Sequence, residues 1–501
     1  MLTQKIIHAL EHPIGHDADD HFDIHAALSE VLSEVGLTER DAGGAVTFTG
    51  ADPVVPSTLR FASAAGIGLA AKSVALAKLW RLRGGKGQDI GVDLRKAPHR
   101  LSPFYDGKWE KINGISPGTP GDPITPFRPP GFYRTRDNRW VMPLNVYPVI
   151  KARTLKLLRT YDDAGAVAEA ISQWNAADLE AAGAEAGVVM PVLRTTREFL
   201  STRQYMDVLA GMPLVEVEKT GESDPIPLPG GALQPLDGIR ALGLGHIIAG
   251  AGIGRVLAQH GADALNIWRP TEFEHDVFYA TANVGVRSAT LDYTRDPQAL
   301  SALRDLLREA DVFYANRRPG FLTDLGLSPH AAAEIRPGII HTSVTLHGET
   351  GPWSNRVGFD HTAGSVTGIM YLEGSPDAPQ LPPIWVVNDH LVPLLAATGI
   401  VQALIRRAEE GGSYRVHVSL TRVALWMLSL GIFDKTYARQ TAGRDEEHAY
   451  LDPETFTAQT PLGFYQGVTD QVTMSETPGA FRPDTILVPR GSGHPAWLPR
   501  E

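Results

Sequence analysis

In the run Trp385 to Leu395, WVVNDHLVPLL, the polar residues Asn388, Asp389 and His390 interrupt an otherwise apolar stretch. A carboxylate that leaves water without a partner loses several kcal/mol, so Asp389 must be solvated, hydrogen-bonded or chemically used. Local sequence favours the second role, an N-cap accepting a backbone N–H at the start of a helix from Leu391 to Arg407. The chain has no cysteine, so thiolate catalysis, disulfides and Cys-based zinc sites are excluded and any nucleophile is oxygen or nitrogen. A second place of interest is the turn with Gly250, Gly252 and Gly254. Its G-x-G-x-G spacing, and Trp268-Arg269 where a ribose-binding acid would end the next strand, argue against a dinucleotide site. Arg269 suits a phosphate, because its guanidinium offers several fixed donors; a solvated loop arginine is the plainer alternative. His8, His12, His16, His21 and His25 cluster with acids near the N-terminus, but at no standard ligand spacing, so no metal site is expected.

The elements that must position these residues are legible. Phe61 to Leu82 reads as a long Ala-rich helix ending in basic residues, closed by Gly84 and Gly85 and followed by the alternating strand Ile90, Val92, Leu94. The same grammar returns with Leu395 to Arg407 as the helix, then Gly411, Gly412, Val416, Val418 and Leu420, which reads as an internal repeat of one helix–turn–strand unit. Between them, GESDPIPLPGGALQP (Gly221 to Pro235) has linker composition. After it a βαβ start is followed by strand and helix signals at Val286 to Leu291, Leu300 to Glu309, Val312 to Ala315 and Gly338 to Val344. This predicts an α/β protein: a Rossmann-like parallel sheet domain over 226–501. The span 1–225 is read as a partial repeat with the long helix and a smaller α+β domain, including a hairpin around Arg136 to Asn138.

Composition narrows the function. The 501 residues carry 57 acidic and 46 basic side chains, net charge −11, with no basic cluster interleaved with aromatics, so no nucleic-acid partner is expected. The hydrophobic fraction of 43% and mean hydropathy of −0.11 fit a folded soluble chain. With neither a bilayer-spanning run nor a signal peptide read from the sequence, the expectation is a cytoplasmic protein without a membrane partner.

Several pieces, in this order and spacing, resemble the class III CoA-transferase family, which includes formyl-CoA transferase, carnitine CoA-transferase and α-methylacyl-CoA racemase. They are PLDGIRALGLGHIIAGAGIGRVLAQHGADALNIWRP, NVGVRSATLDY, ADVFYANRRPGFLTDLGLSP, RPGIIHTSVTLHGETGPW, GFDHTAGSVTGIM and NDHLVPLLAATGIVQALIRR. The earlier pieces AAGIGLAAKSVALAKLWRLRGGKGQDIGVDLRKA and GFYRTRDNRWVMPLN are similar to the family's later helix and small domain, so the chain resembles a partial duplication in permuted order. The resemblance implies that Asp389 is the nucleophile of a CoA transfer. Its carboxylate attacks an acyl-CoA thioester to give a mixed anhydride, passes through an aspartyl-CoA thioester, and delivers CoA to an acceptor acid. The apolar neighbours Val386, Val387, Leu391 and Val392 suit that role, since partial desolvation raises nucleophilicity and protects an anhydride from water. It also implies that coenzyme A, as substrate rather than tightly bound cofactor, contacts His246, Ile247, Ile248, Ala249, Arg269, Asn316, Arg317 and Arg356. The partners implied are an acyl-CoA and a small carboxylic acid, with a homodimer as candidate assembly.

The chain departs from the family's pattern at Gly364, at Gly285-Val286-Arg287 and at Ile248, and Ser63 stands at or beside the nucleophile position of the earlier repeat, with Asp52 upstream. Two alternatives follow. One is a racemase of the same superfamily, whose acid–base histidine precedes the aspartate of the FD element; here Phe359 holds that place and His361 sits one residue past Asp360. The other is a non-catalytic CoA-binding duplicate.

Overall fold

Strands Arg240–Leu244, Asp263–Trp268 and Ile340–Thr345 are buried along their whole length, as strands covered by helices on both faces must be. They belong to a seven-stranded sheet in the computed structural model, which describes residues 2–16, 20–104, 106–117 and 131–499. From one edge the order is Glu216–Gly221, Ser413–Ser419, Ile340–Thr345, Val312–Ala315, Arg240–Leu244, Asp263–Trp268 and Arg287–Thr290. Every neighbouring pair is parallel except the first, where Val217 faces Val416 in antiparallel register. Val312 pairs with both Ala241 and Ile340, so the three central strands run in step and their following loops gather at one edge. Loops at the carboxyl ends of parallel strands are where α/β sheets hold ligands.

Four helices matter for that edge: α1 (Phe61–Leu82), α2 (Ala251–Ala258), α3 (Asp360–Thr367) and α4 (Val387–Glu410). Helices α1 and α4 are long and apolar enough to cross a membrane by composition, yet both are buried in one core and pack on each other. Small residues permit the approach: a Cβ on Gly68 of α1 would lie 3.3 Å from Leu394 of α4. The glycines expected in one turn divide, Gly250 standing before α2 and Gly252 and Gly254 inside it, and all three have packing reasons. A Cβ on Gly250, Gly252 or Gly254 would come within 2.2 Å of Asn316, 2.8 Å of Pro393 or 2.2 Å of Tyr314.

The expected hairpin is present, with Tyr133–Arg134 antiparallel to Trp140–Val141 and Asn138 at φ 61° in the turn. The region from 107 to 217 also includes residues outside the described set. Gln88–Asp93 pairs in parallel with Gly43–Thr49 and antiparallel with Val472–Met474, so the two ends of the chain share a small sheet. Deeper, Lys72 of α1 forms a fully buried ion pair with Asp470, whose other oxygen faces Arg100 at 3.6 Å and Arg255 at 3.5 Å. Burial opposes ionisation of Asp470, but these three cations hold its carboxyl well below the usual range.

Helices α1 and α4 begin alike. The Asp52 carboxylate accepts from the backbone N–H groups of Ala62 and Ser63 at 3.1 and 2.7 Å, and that of Asp360 accepts from the N–H of Asp389 at 3.1 Å. Ser63 and Asp389 therefore occupy matching backbone positions, each held by an aspartate from the preceding segment.

Candidate active site

Asp389 is the third residue of α4, 5% exposed, at the carboxyl edge of the sheet. The local expectation of an N-cap is corrected here. Val386, in a left-handed conformation at φ 51°, holds the cap position, and Asp360 supplies the carboxylate that accepts the orphan N–H. The Asp389 side chain is thereby released from capping. Pro393 lies one helical turn further on and has no N–H to give the Asp389 carbonyl, so this turn is loosened on both sides.

Two cavities meet at Asp389. The larger, about 840 Å³, is lined by His246, Ile247, Ala249, Asn316, Arg317 and Arg356, all anticipated from the sequence, together with Arg318. The smaller, about 530 Å³, is apolar and is lined by Ile248 and by residues the sequence did not single out, among them Phe104, Tyr147, Phe278 and Trp385. Ile247, Phe359 and Asp389 belong to both walls. Arg269 lines neither; it pairs with Glu272 at 3.0 Å.

The first wall is built backbone first. The Asn316 amide clamps His246, accepting from its N–H at 2.9 Å and donating to its carbonyl at 2.7 Å. Ile247 is held at φ 61°, a conformation β-branched residues avoid, by donating its N–H to Glu274 at 2.8 Å. Arg317 pairs with Glu272 at 2.5 Å, and despite burial the neighbouring Arg317, His246 and Arg269 hold the Glu272 carboxyl down to about 2. Arg356 contacts Glu180 at 3.2 Å and lies 4.2 Å over the Trp353 ring. A basic, partly preorganised wall of this kind fits phosphate or another anion.

Electrostatics near Asp389 run the other way. Burial, then the charges of Asp360 and Glu274, push the Asp389 carboxyl well above its usual range. Burial also raises Asp360, to about 6, against hydrogen bonds from the Asp389 and Asn388 backbone. Tyr147 donates its hydroxyl to Glu274 at 2.7 Å, which ties the 131–147 segment to this cluster. His361 lines the apolar cavity with both ring nitrogens unpartnered, and burial lowers it to about 4, so it is neutral at pH 7. The His390 ring lies 6.1 Å from that of Phe104, and burial with the charges of Arg100 and Arg255 keeps it neutral as well. Glu274 and Tyr147 carried no sequence signal, since one is an acid in a run of acids and the other lies 242 positions before Asp389.

The N-terminal histidines do not converge: His8 stacks on His12, His16 bonds Gln440, and His25 bonds Glu39. Among the described residues no group of three or more metal-type side chains forms a site, and Asp17 and Asp19 lie outside them.

Residues 236–473 match the model of CoA-transferase family III. The succinyl-CoA–L-malate CoA-transferase alpha subunit of Chloroflexus aurantiacus is 30% identical over 246 residues, covering 45% of this chain and 57% of that protein. The succinyl-CoA:glutarate CoA-transferase of Homo sapiens is 29% identical over 191 residues, 36% of this chain and 43% of that one. A solved CAIB/BAIF family protein from Brucella suis is 28% identical at TM-score 0.36, covering 46% of this chain and 65% of its own. The chain thus spans about half the length of the curated relatives it matches.

Proposed function

We propose that this chain, whose residues 236–473 match the model of CoA-transferase family III, moves CoA from an acyl-CoA donor to a carboxylic acid through covalent intermediates on Asp389. The observation that carries this reading is the position of Asp389 where a basic cleft meets an apolar chamber. In this reading the CoA diphosphate and 3′-phosphate face Arg317, Arg318 and Arg356, with Arg269 further out, and the pantetheine arm runs past His246 to Ala249. The acyl group enters the chamber.

The ionised Asp389 carboxylate attacks the thioester carbon, forming an acyl-aspartyl anhydride and expelling CoA thiolate. The thiolate attacks the aspartyl carbon, releases the first acid as a carboxylate and leaves an aspartyl-CoA thioester. An acceptor carboxylate attacks that thioester, and the thiolate expelled takes the new acyl group, restoring the Asp389 carboxylate. A carboxylate destabilised by burial and by two neighbouring acids gains more by bonding to carbon than a solvated one does. The N-terminal turn of α4 supplies a compensating partial positive charge.

The test is covalent trapping. Incubation with acyl-CoA and hydroxylamine, followed by mass spectrometry, should modify only the peptide carrying Asp389, and Asp389→Asn should abolish both label and CoA exchange, a loss of at least about 10³-fold. Exchange that survives in Asp389→Asn rejects the scheme, and no label with any acyl-CoA favours a CoA-binding protein without turnover.

A second reading draws on one observation: His361 lines the same chamber as Asp389, so the two could exchange an α-proton of a bound acyl-CoA. A histidine held near 4 is a weak base at neutral pH, which ranks this reading second. Deuterium uptake at the acyl α-carbon without trapping at Asp389 would select it.

A further inference from the structure

The chamber beyond Asp389 bears on which acids are exchanged, an inference that rests on the CoA-transfer reading. Its walls are Phe104, Leu144, Val146, Tyr147, Ile247, Ile248, Phe278, Phe359, Trp385 and Val386, with His361 and Asp389 as the polar groups. Five of these side chains are aromatic rings of Phe, Tyr or Trp. Phe104 meets Phe278 edge-on at 5.8 Å, Tyr147 stacks on Phe359 at 5.6 Å, and Trp385 meets His361 at 5.7 Å. Ile248, Val277 and Val386 pack with Phe104 as the apolar floor.

No lysine or arginine lines the chamber among the described residues. Its one imidazole is neutral, held near 4 by burial, and the Tyr147 hydroxyl is already committed to Glu274. Burial, and after it the charges of Asp360 and Glu274, already disfavour a further negative charge beside Asp389. An acid with a second carboxylate would therefore enter an apolar space whose lining offers no counter-ion. An aromatic ring, by contrast, finds edge and face partners on several sides.

We propose that the acyl group carried by this protein is uncharged and apolar, best matched by an aromatic ring such as phenylacetyl or phenylpropanoyl, and that dicarboxylic acyl groups are excluded from the chamber.

Isotope exchange tests this with one acid at a time: each acyl-CoA is mixed with the labelled form of its own acid, and label is followed into the thioester. Phenylacetate, 3-phenylpropanoate and hexanoate should exchange with kcat/KM at least about 100-fold above succinate, malate and glutarate. Leu144 is only partly buried in the wall, so Leu144→Arg can place a cation there with a path to solvent; Val146→Arg, also partly buried, serves if the first variant fails to fold. Either folded variant should raise the dicarboxylate to monocarboxylate ratio at least about tenfold. Dicarboxylates exchanging as well as aromatic acids in the parent protein, or a folded variant with an unchanged ratio, overturns the proposal while trapping at Asp389 still supports CoA transfer. Exchange with none of the acids, together with no label at Asp389, overturns both.

Discussion

Burial first, and then its acidic neighbours, set the acidity of Asp389. Asp360 and Glu274 both destabilise its charged form, and Asp360 itself is held at about 6 against an ordinary value of 3.8. Because Asp360 binds its proton more tightly folded than unfolded, the native state holds more protons between those two values. Stability contributed by this group is therefore full below pH 3.8 and is lost as pH rises through about 6. Asp360→Asn keeps an oxygen to accept the Asp389 N–H but cannot ionise. It should be more stable than the parent by roughly 1–3 kcal/mol at pH 8, with the difference vanishing near pH 4, as read from urea midpoints at both pH values. The same substitution removes one charge facing Asp389, so the acid limb of kcat/KM against pH should move to lower pH; an unmoved limb would mean that Asp360 does not couple to the reacting group.

At this scale the sequence was informative about one kind of residue. Asp389 was conspicuous because a carboxylate amid valines and leucines demands a reason, and the basic wall followed from the family pattern. Tyr147, Glu274 and Phe104 were invisible, since their importance arises from distances that close only in three dimensions.

At the scale of elements, the site depends on how closely the turn after Arg240–Leu244 approaches its neighbours. Gly250 leaves room for Asn316, and Asn316 in turn pins both backbone groups of His246. Gly250→Ala would place a methyl 2.2 Å from the Asn316 side-chain oxygen, forcing that amide out of its clamp. The expected result is a KM for acyl-CoA raised at least about tenfold with a smaller change in kcat, and a stability loss of about 1–3 kcal/mol. A KM unchanged in the folded variant would show that the clamp does not shape the CoA path. The G-x-G-x-G spacing reads as a turn, but only Gly250 lies ahead of α2, with Gly252 and Gly254 inside it, and the partners Asn316, Pro393 and Tyr314 leave no mark in the local sequence. The start of α4 differs too: local sequence puts it near Leu391 and the structure at Val387, because the left-handed Val386 and the capping Asp360 leave no local cap signature. The expected units Phe61–Leu82 and Val312–Ala315 match the observed elements residue for residue, since long apolar periodicity and short buried runs survive tertiary packing.

At the scale of the whole molecule, the spans 1–225 and 226–501 are proposed as two units of chain organisation, and their contacts show how firmly they are joined. Helix α1 lies on α4, Lys72 is paired with Asp470 in the interior, and the Arg83 guanidinium donates to the carbonyls of Pro229, Pro235 and Asp237. Glu373 accepts from the hydroxyls of Ser57 and Thr58 at 2.6 and 2.8 Å. Within the segment joining the spans, Leu233 is 83% exposed. Separating the spans would strand Lys72 opposite an exposed Asp470 and uncover the apolar faces of α1 and α4, a loss far larger than the few kcal/mol that stabilise most folded proteins. Brief chymotrypsin treatment should cut near Leu233 yet leave both fragments co-eluting in gel filtration, with Asp389 still trapped by acyl-CoA. Tyr147 and Leu144 come from the first span while Asp389 comes from the second. Fragments that part after cleavage, or stay together but no longer label, would mean that an intact connection between the spans, and not their packing, is what closes the chamber over Asp389.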